Sequence, residues 1–378
     1  MKKLISSPKS WYFLLIGGLL ILCIQTVFHP IKEKDLNGYF EDHKATPFSV
    51  TDWKEGVFQQ NYEAYLKDHA GFHHTLVRLF NQKEYWWNRV ANANGVLIGK
   101  ENYLFEENYI SSYLGINHIG EDSIRKQVMK LRFLQDTLQQ QGKTLLVVIA
   151  PGKGWVYPEK FPKKYSHIPK KKSNYESYLS QFNTRGIHYI DLNRWFVNSR
   201  DKSPHPLYPK TGIHWSKYGE LMAFDSILNT LETMQNGKFG RIRAKEWRVT
   251  RKPDFEDNDI EKGMNLLFPI YNPLQLAYPV WEMDTSGKTF QGTIVFIADS
   301  FYWGIYNYGV ADNVLKRNEF WYYNEEIYTP GEDVKKVSDL PLAETIAQKD
   351  IIVLLVTEGN FHKFGFGFVE KLYAAYKH

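Results

Sequence analysis

Thr293–Phe301, TIVFIADSF, is a short apolar run bounded by Gly292 that leaves through an aspartate and a serine. An uninterrupted apolar run of this length reads as a strand buried on both faces, and buried parallel strands belong to α/β folds. In such folds the loop beyond a strand's carboxyl end carries the chemistry, which makes Ser300 the candidate nucleophile. A serine hydroxyl is a weak nucleophile at neutral pH and needs an imidazole to take its proton. Upstream, Tyr208-Pro209-Lys210-Thr211-Gly212-Ile213-His214-Trp215-Ser216 supplies His214.

Working outward, the same logic recurs. Ile124, Val128, Leu131, Leu134 and Leu138 mark a helix ended by Gly142, followed by an apolar strand over 144–150. Tyr175, Tyr178, Leu179 and Phe182 mark a second helix, ended by Gly186 before a strand over 187–192. A third helix follows His214 with Tyr218, Leu221, Met222, Phe224, Leu228 and Leu231 on its apolar face, and a last strand spans 350–357. Strands alternating with helices predict a parallel sheet flanked by helices. Residues 236–291, rich in charge and in prolines 253, 269, 273 and 279, break the alternation and read as an insertion between the His214 and Ser300 segments.

The order of these motifs resembles the alginate O-acetyltransferase family, the SGNH-hydrolase-like periplasmic polysaccharide O-acetyltransferases. His214-Trp215 and Asp299-Ser300-Phe301 are similar to its Asp-x-His-Trp and Gly-Asp-Ser-Phe motifs, in the circularly rearranged order that distinguishes the family from other esterases of the group. Gly99-Lys100-Glu101-Asn102-Tyr103-Leu104-Phe105 resembles its opening motif. Pro151-Gly152-Lys153, Val156-Tyr157-Pro158 and Phe161-Pro162 resemble its Pro-x-Lys…Tyr-Pro segment. The likeness covers roughly residues 50–378.

Gly212 stands where the family has the aspartate that orients the histidine, and Ala298 where it has the glycine before Asp-Ser. An orienting carboxylate would then come from Asp191, Asp257 or Asp259. Lys153, Asn360, Trp215, Asp299 and Glu358 lie at predicted strand ends or beside the histidine, as candidates for oxyanion stabilisation or substrate binding. The resemblance implies an exported O-acyltransferase working through a Ser300/His214 acyl-enzyme on a polysaccharide acceptor. It also implies an acyl donor delivered by a membrane-bound O-acyltransferase. A carbohydrate esterase with the same dyad, or a non-catalytic polysaccharide-binding subunit, are the alternative readings. No cofactor or metal is expected: His69, His73 and His74 fall on helical positions without a third ligand in view.

At the amino end, Trp11–Phe28 is charge-free and long enough to cross a hydrocarbon core, with Lys2, Lys3 and Lys9 on its amino side. No small-x-small cleavage pattern follows, so residues 1–31 read first as an uncleaved inner-membrane anchor, with a removed signal segment as the alternative, 32–51 as a polar tether, and 52–378 as the α/β body in the periplasm or another extracytoplasmic space. The single cysteine, Cys23, lies inside the apolar run, which leaves the body without disulfides or thiolate sites. A net charge of +5 over 378 residues gives no argument for a nucleic-acid partner. An aromatic content of 16% suits stacking on sugar rings and a tyrosine-rich core equally.

Overall fold

The computed structural model describes residues 8–38, 43–235, 237–254, 256–307, 314–315 and 318–377; Lys2 and Lys3 lie outside them. Two compact units divide the chain, 1–94 with 261–269, and 95–260 with 270–378.

The first unit is helical. Helix α1 (Pro8–Phe28) contains a 20-residue apolar stretch, Lys9–Phe28, long and apolar enough to cross a membrane. Helices α2 (Val50–Glu55), α3 (Val57–His69) and α4 (His73–Lys83) follow, with Gly71 between the last two. Glu33 accepts hydrogen bonds from the backbone amide and hydroxyl of Thr75, and Arg78 donates to the carbonyls of Lys34 and Asp35, so the chain after α1 runs along α4.

The second unit is the α/β body. An antiparallel pair, β1 (Val96–Ile98) and β2 (Leu104–Glu106), leads into α5 (Glu107–Tyr113) and α6 (Glu121–Gln140). Then come β3 (Thr144–Ala150), the short α7 (Lys153–Val156), α8 (Asn174–Arg185), β4 (Tyr189–Asp191), α9 (Leu192–Ser199) and α10 (Lys217–Met234). A long antiparallel ribbon, β5 (Arg241–Thr250) with β6 (Leu276–Asp284), is separate from the main sheet, and α11 (Asp259–Gly263) lies between its strands in sequence. The chain continues through β7 (Ile294–Ala298), α12 (Tyr302–Asn307), β8 (Asn318–Tyr322), β9 (Glu326–Tyr328), β10 (Lys335–Lys336) and β11 (Ile351–Thr357).

The central sheet has seven strands in the order β10-β9-β8-β7-β11-β3-β4. The five from β8 to β4 are parallel, while β9 and β10 pair antiparallel at one edge. Every residue of β7 and β11 is buried, which fits their unbroken apolar sequences, IVFIA and IIVLLVT, and requires cover on both faces. Because side chains alternate along a strand, Val147, Ile149, Val295, Ile297, Leu354 and Val356 reach one face. There they pack with the predicted stripes of α6 and α8 and with the helix Phe368–Lys377. The alternate residues serve the other face; Phe296, for instance, stacks on Tyr302 of α12 at 4.2 Å between centroids.

Helix ends follow local chemistry. Ser173 and Glu176 close a capping box at the start of α8, and Gly186 ends it in the left-handed region. The strand predicted over 187–192 is shorter, Tyr189–Asp191, because Asp191 caps α9 with its side chain. The edge strands β8 to β10 were not predicted. Tyr323 and Asn324 both take positive φ (49° and 56°) in the three-residue turn, 323–325, that reverses β8 into β9.

Candidate active site

The carboxyl ends of β3, β7 and β11 form one rim. From β7 the chain passes through Asp299 and Ser300 into α12, with the Tyr302 and Trp303 amides donating to the Asp299 and Ser300 carbonyls. The Asp299 side chain is fully buried and holds the turn. Its Oδ1 accepts from the Phe301 amide at 3.2 Å, and its Oδ2 accepts from the Thr357 amide and the Asn360 side-chain amide, both at 2.8 Å. Asp299 and Asn360 thus join the ends of β7 and β11 beneath Ser300.

His214 arrives on a separate segment. Ser216 caps α10 by accepting from the Gly219 amide at 3.0 Å and anchors its own amide on the Leu207 carbonyl at 2.9 Å. The imidazole Nε2 lies 2.9 Å from Ser300 Oγ, and Nδ1 lies 2.6 Å from Asp259 Oδ2. A carboxylate only accepts, so this network assigns the ring proton to Nδ1 and leaves Nε2 to accept from the serine hydroxyl. Burial pushes the imidazole's pKa down, but the hydrogen bond and charge of Asp259 outweigh it, and the net shift is upward. Burial opposes ionisation of Asp259 as well. Its bonds to His214 and to the amides of Ile213 and Ile260 outweigh that and hold it below the usual carboxylate range.

Of the three carboxylates weighed in the sequence, Asp259 is the one at His214. Asp191 is committed elsewhere: it caps α9 through the Arg194 amide at 2.9 Å and accepts from the Tyr175 hydroxyl at 2.8 Å. Asp257 is buried against Tyr278, whose hydroxyl donates to it at 2.8 Å, and burial pushes its carboxyl up to about 7. Lys217, itself buried, reaches Glu220 and Glu256 at 3.2 Å and shares this neighbourhood.

The remaining candidates are buried within the body. Lys153 is wholly buried and donates to the carbonyls of Lys210 (2.9 Å) and Gly212 (2.6 Å). Trp215 is buried edge-to-face on Phe301 at 5.3 Å, a packing role with no face for a sugar. Glu358 is buried with Ser112 donating to it at 2.6 Å, and burial pushes its carboxyl up to about 7. Sequence reading missed Glu106, the last residue of β2. Burial and the Asp259 charge raise its pKa, and His214 and Lys153 act on it in the opposite sense, which places it in the same electrostatic cluster. Its one signal was adjacency to the Gly99–Phe105 motif.

Residues 96–258 match the family of SGNH hydrolase-like domains of the acetyltransferase AlgX. The match includes His214 and ends one residue before Asp259. No curated protein matches the chain. Among solved structures, the O-acetyltransferase domain of Pseudomonas putida AlgJ is 16% identical, with 74% of this chain and 99% of that one aligned at a TM-score of 0.47. Pseudomonas aeruginosa AlgX is 15% identical over 74% of this chain and 68% of its own, at 0.46. Bacillus cereus PatB1 is 13% identical over 66% and 93%, at 0.40. Over residues 96–258, from β1 to the end of the segment before α11, this chain is thus similar to the SGNH hydrolase-like domain of the acetyltransferase AlgX.

Proposed function

We propose that this protein is an exported, membrane-anchored O-acetyltransferase that modifies a cell-envelope or secreted polysaccharide through an acyl-enzyme on Ser300. The observation that carries the proposal is the continuous Ser300–His214–Asp259 chain of hydrogen bonds, at 2.9 and 2.6 Å. In this mechanism Ser300 Oγ attacks the acyl carbonyl while His214 Nε2 takes its proton, and Asp259 stabilises the imidazolium that forms. In this reading the Ser300 backbone amide donates to the oxyanion. Collapse of the tetrahedral intermediate expels the donor's leaving group, which takes the proton back from Nε2. A sugar hydroxyl then enters, gives its proton to Nε2, attacks the acyl carbon and leaves as the ester, and Ser300 is reprotonated.

Acetyl-CoA is cytoplasmic, so a site outside the membrane needs acyl groups passed across it, and the family resemblance supplies a membrane-bound O-acyltransferase as the donor partner. The apolar helix α1 supports anchoring of the body at that membrane. A chromogenic acetyl ester with full-length protein in detergent micelles, with and without oligosaccharide, tests the reading. Parent protein should give acetylated oligosaccharide in excess of free acetate. Ser300→Ala and His214→Ala should each lose about 10³-fold or more in kcat, and Asp259→Asn about 10²-fold or more. Hydrolysis without transfer would make the protein an esterase. Parent activity retained in Ser300→Ala would sink the mechanism.

A further inference from the structure

We propose that Lys153 is a positioning residue, whose Nζ, bound to the Lys210 and Gly212 carbonyls, fixes the backbone that presents His214 to Ser300. The inference rests on the triad reading above. Lys153 follows β3 by two residues and opens α7, so its root is held by the central sheet rather than by a free loop. Its side chain has no exposed surface, and the Tyr103 and Phe105 rings, at 6.0 and 5.6 Å from Nζ, close its remaining side. Burying an ammonium among apolar groups costs several kcal/mol unless its protons find acceptors.

The acceptors here are two carbonyls of one short segment. Lys210 O also receives the Leu104 amide at 3.0 Å, which ties β2 to the same point. Gly212 O, at 2.6 Å from Nζ, lies two residues before the histidine, and the Ile213 amide between them donates to Asp259 Oδ1 at 2.9 Å. Lys153 and Asp259 thus grip the one Gly212–Ile213 peptide group, Lys153 at its carbonyl and Asp259 at its amide. Burial brings the Lys153 pKa down to about 7, with Asp259 and Glu106 opposing the fall. The two bonds need only two protons, which a neutral amine still carries, though as weaker donors than those of an ammonium. Displacing a catalytic group by about 1 Å can cost about 10²-fold in rate without loss of binding.

The experiment compares parent, Lys153→Arg, Lys153→Gln and Lys153→Met as full-length proteins in micelles, with thermal midpoints measured on each. Two readouts are taken: steady-state acyl transfer, and the downfield proton resonance of the His214 Nδ1–H bonded to Asp259, identified by its loss in Asp259→Asn. Lys153→Met should lose at least tenfold in kcat with KM within twofold, and should weaken or shift the resonance. The variants that keep a donor should lose less. Parent-like kcat and resonance in folded Lys153→Met, or losses that follow the thermal midpoint instead of donor capacity, would overturn the proposal. The resonance reports the geometry even if the parent protein is catalytically inert, so failure of the triad chemistry and failure of the Lys153 role are told apart.

Discussion

Gly212 explains how the site can lack an aspartate two residues before His214 and still hold a carboxylate on Nδ1. A Cβ added there would lie 2.8 Å from the Asp257 carbonyl oxygen, 2.9 Å from its carbon and 3.0 Å from the Glu256 oxygen, all backbone atoms that cannot rotate away. The absence of a side chain at 212 lets the 256–257 backbone close on the histidine segment, and two residues later Asp259 reaches the ring. A glycine and a distant aspartate together replace one local aspartate. Gly212→Ala should push that backbone off, lengthen the His214–Asp259 contact, and lower kcat/KM tenfold or more. The overpacking should also cost about 1–3 kcal/mol. Steady-state kinetics alongside thermal unfolding checks this, and parent values of both would show that the close approach does not matter.

At the scale of elements, the site depends on α10 as a rigid block, because its capped start sets where His214 emerges. The Leu207 carbonyl receives the Ser216 amide and also lies 2.5 Å from where a Cβ on Gly219 would stand, with the Phe196 ring at 3.1 Å. Gly219→Ala should therefore push the first turn of α10 away from the 206–208 segment, at a cost of about 2 kcal/mol, and lower the thermal midpoint by a few degrees. A midpoint equal to or above the parent's would contradict the packing argument, since alanine is otherwise the better helix former. Elements of this kind were legible where one period ran long enough. The stripes of α6, α8 and α10 and the apolar runs of β3, β7 and β11 announced the parallel sheet. Strands β8 to β10 did not, being short and partly charged, and the turn between β8 and β9, residues 323–325, carries no glycine signal. Within the site, Ser300 and His214 could be read from strand-exit logic and motif order. Asp259 could be named only as one of three, because 45 residues of chain separate it from its partner and no periodic pattern encodes that distance. The contacts of Lys153 were invisible, since a lysine's burial is a tertiary fact that its spacing does not record.

Across the whole molecule, the body buries an unusual set of ionisable groups close to its working rim, and this sets how stability depends on pH. Burial pushes the carboxyls of Asp257, Glu220 and Glu358 up to about 7, against opposing bonds or charges from Tyr278, Lys217 and Ser112 respectively. Each therefore binds a proton in the folded state between about pH 4 and 7, where the unfolded chain has released it, so folding weakens as pH rises through that window. His214 acts in the same direction: its folded pKa is raised, so its contribution is complete below the unfolded value near 6.5 and is lost as pH rises through the folded one. Asp259, held below the usual range, contributes stability that is fully present above the unfolded carboxylate value and is lost only in more acid solution. Lys153, brought down to about 7, carries its full cost below that pH and regains stability only above it. Between pH 5 and 7 these carboxyls and His214 share one sign, and His362, whose pKa burial lowers, is the smaller opposing term. The thermal midpoint should fall over that interval, each raised carboxyl contributing about 2 kcal/mol to the difference. Glu358→Gln, which keeps the shape and an acceptor for Ser112 without the titration, should flatten the slope by about that amount. A midpoint that rises from pH 5 to 7, or a slope indifferent to Glu358→Gln, would mean that water or structural relaxation meets these carboxylates once ionised and that the interior is less dry than its packing implies.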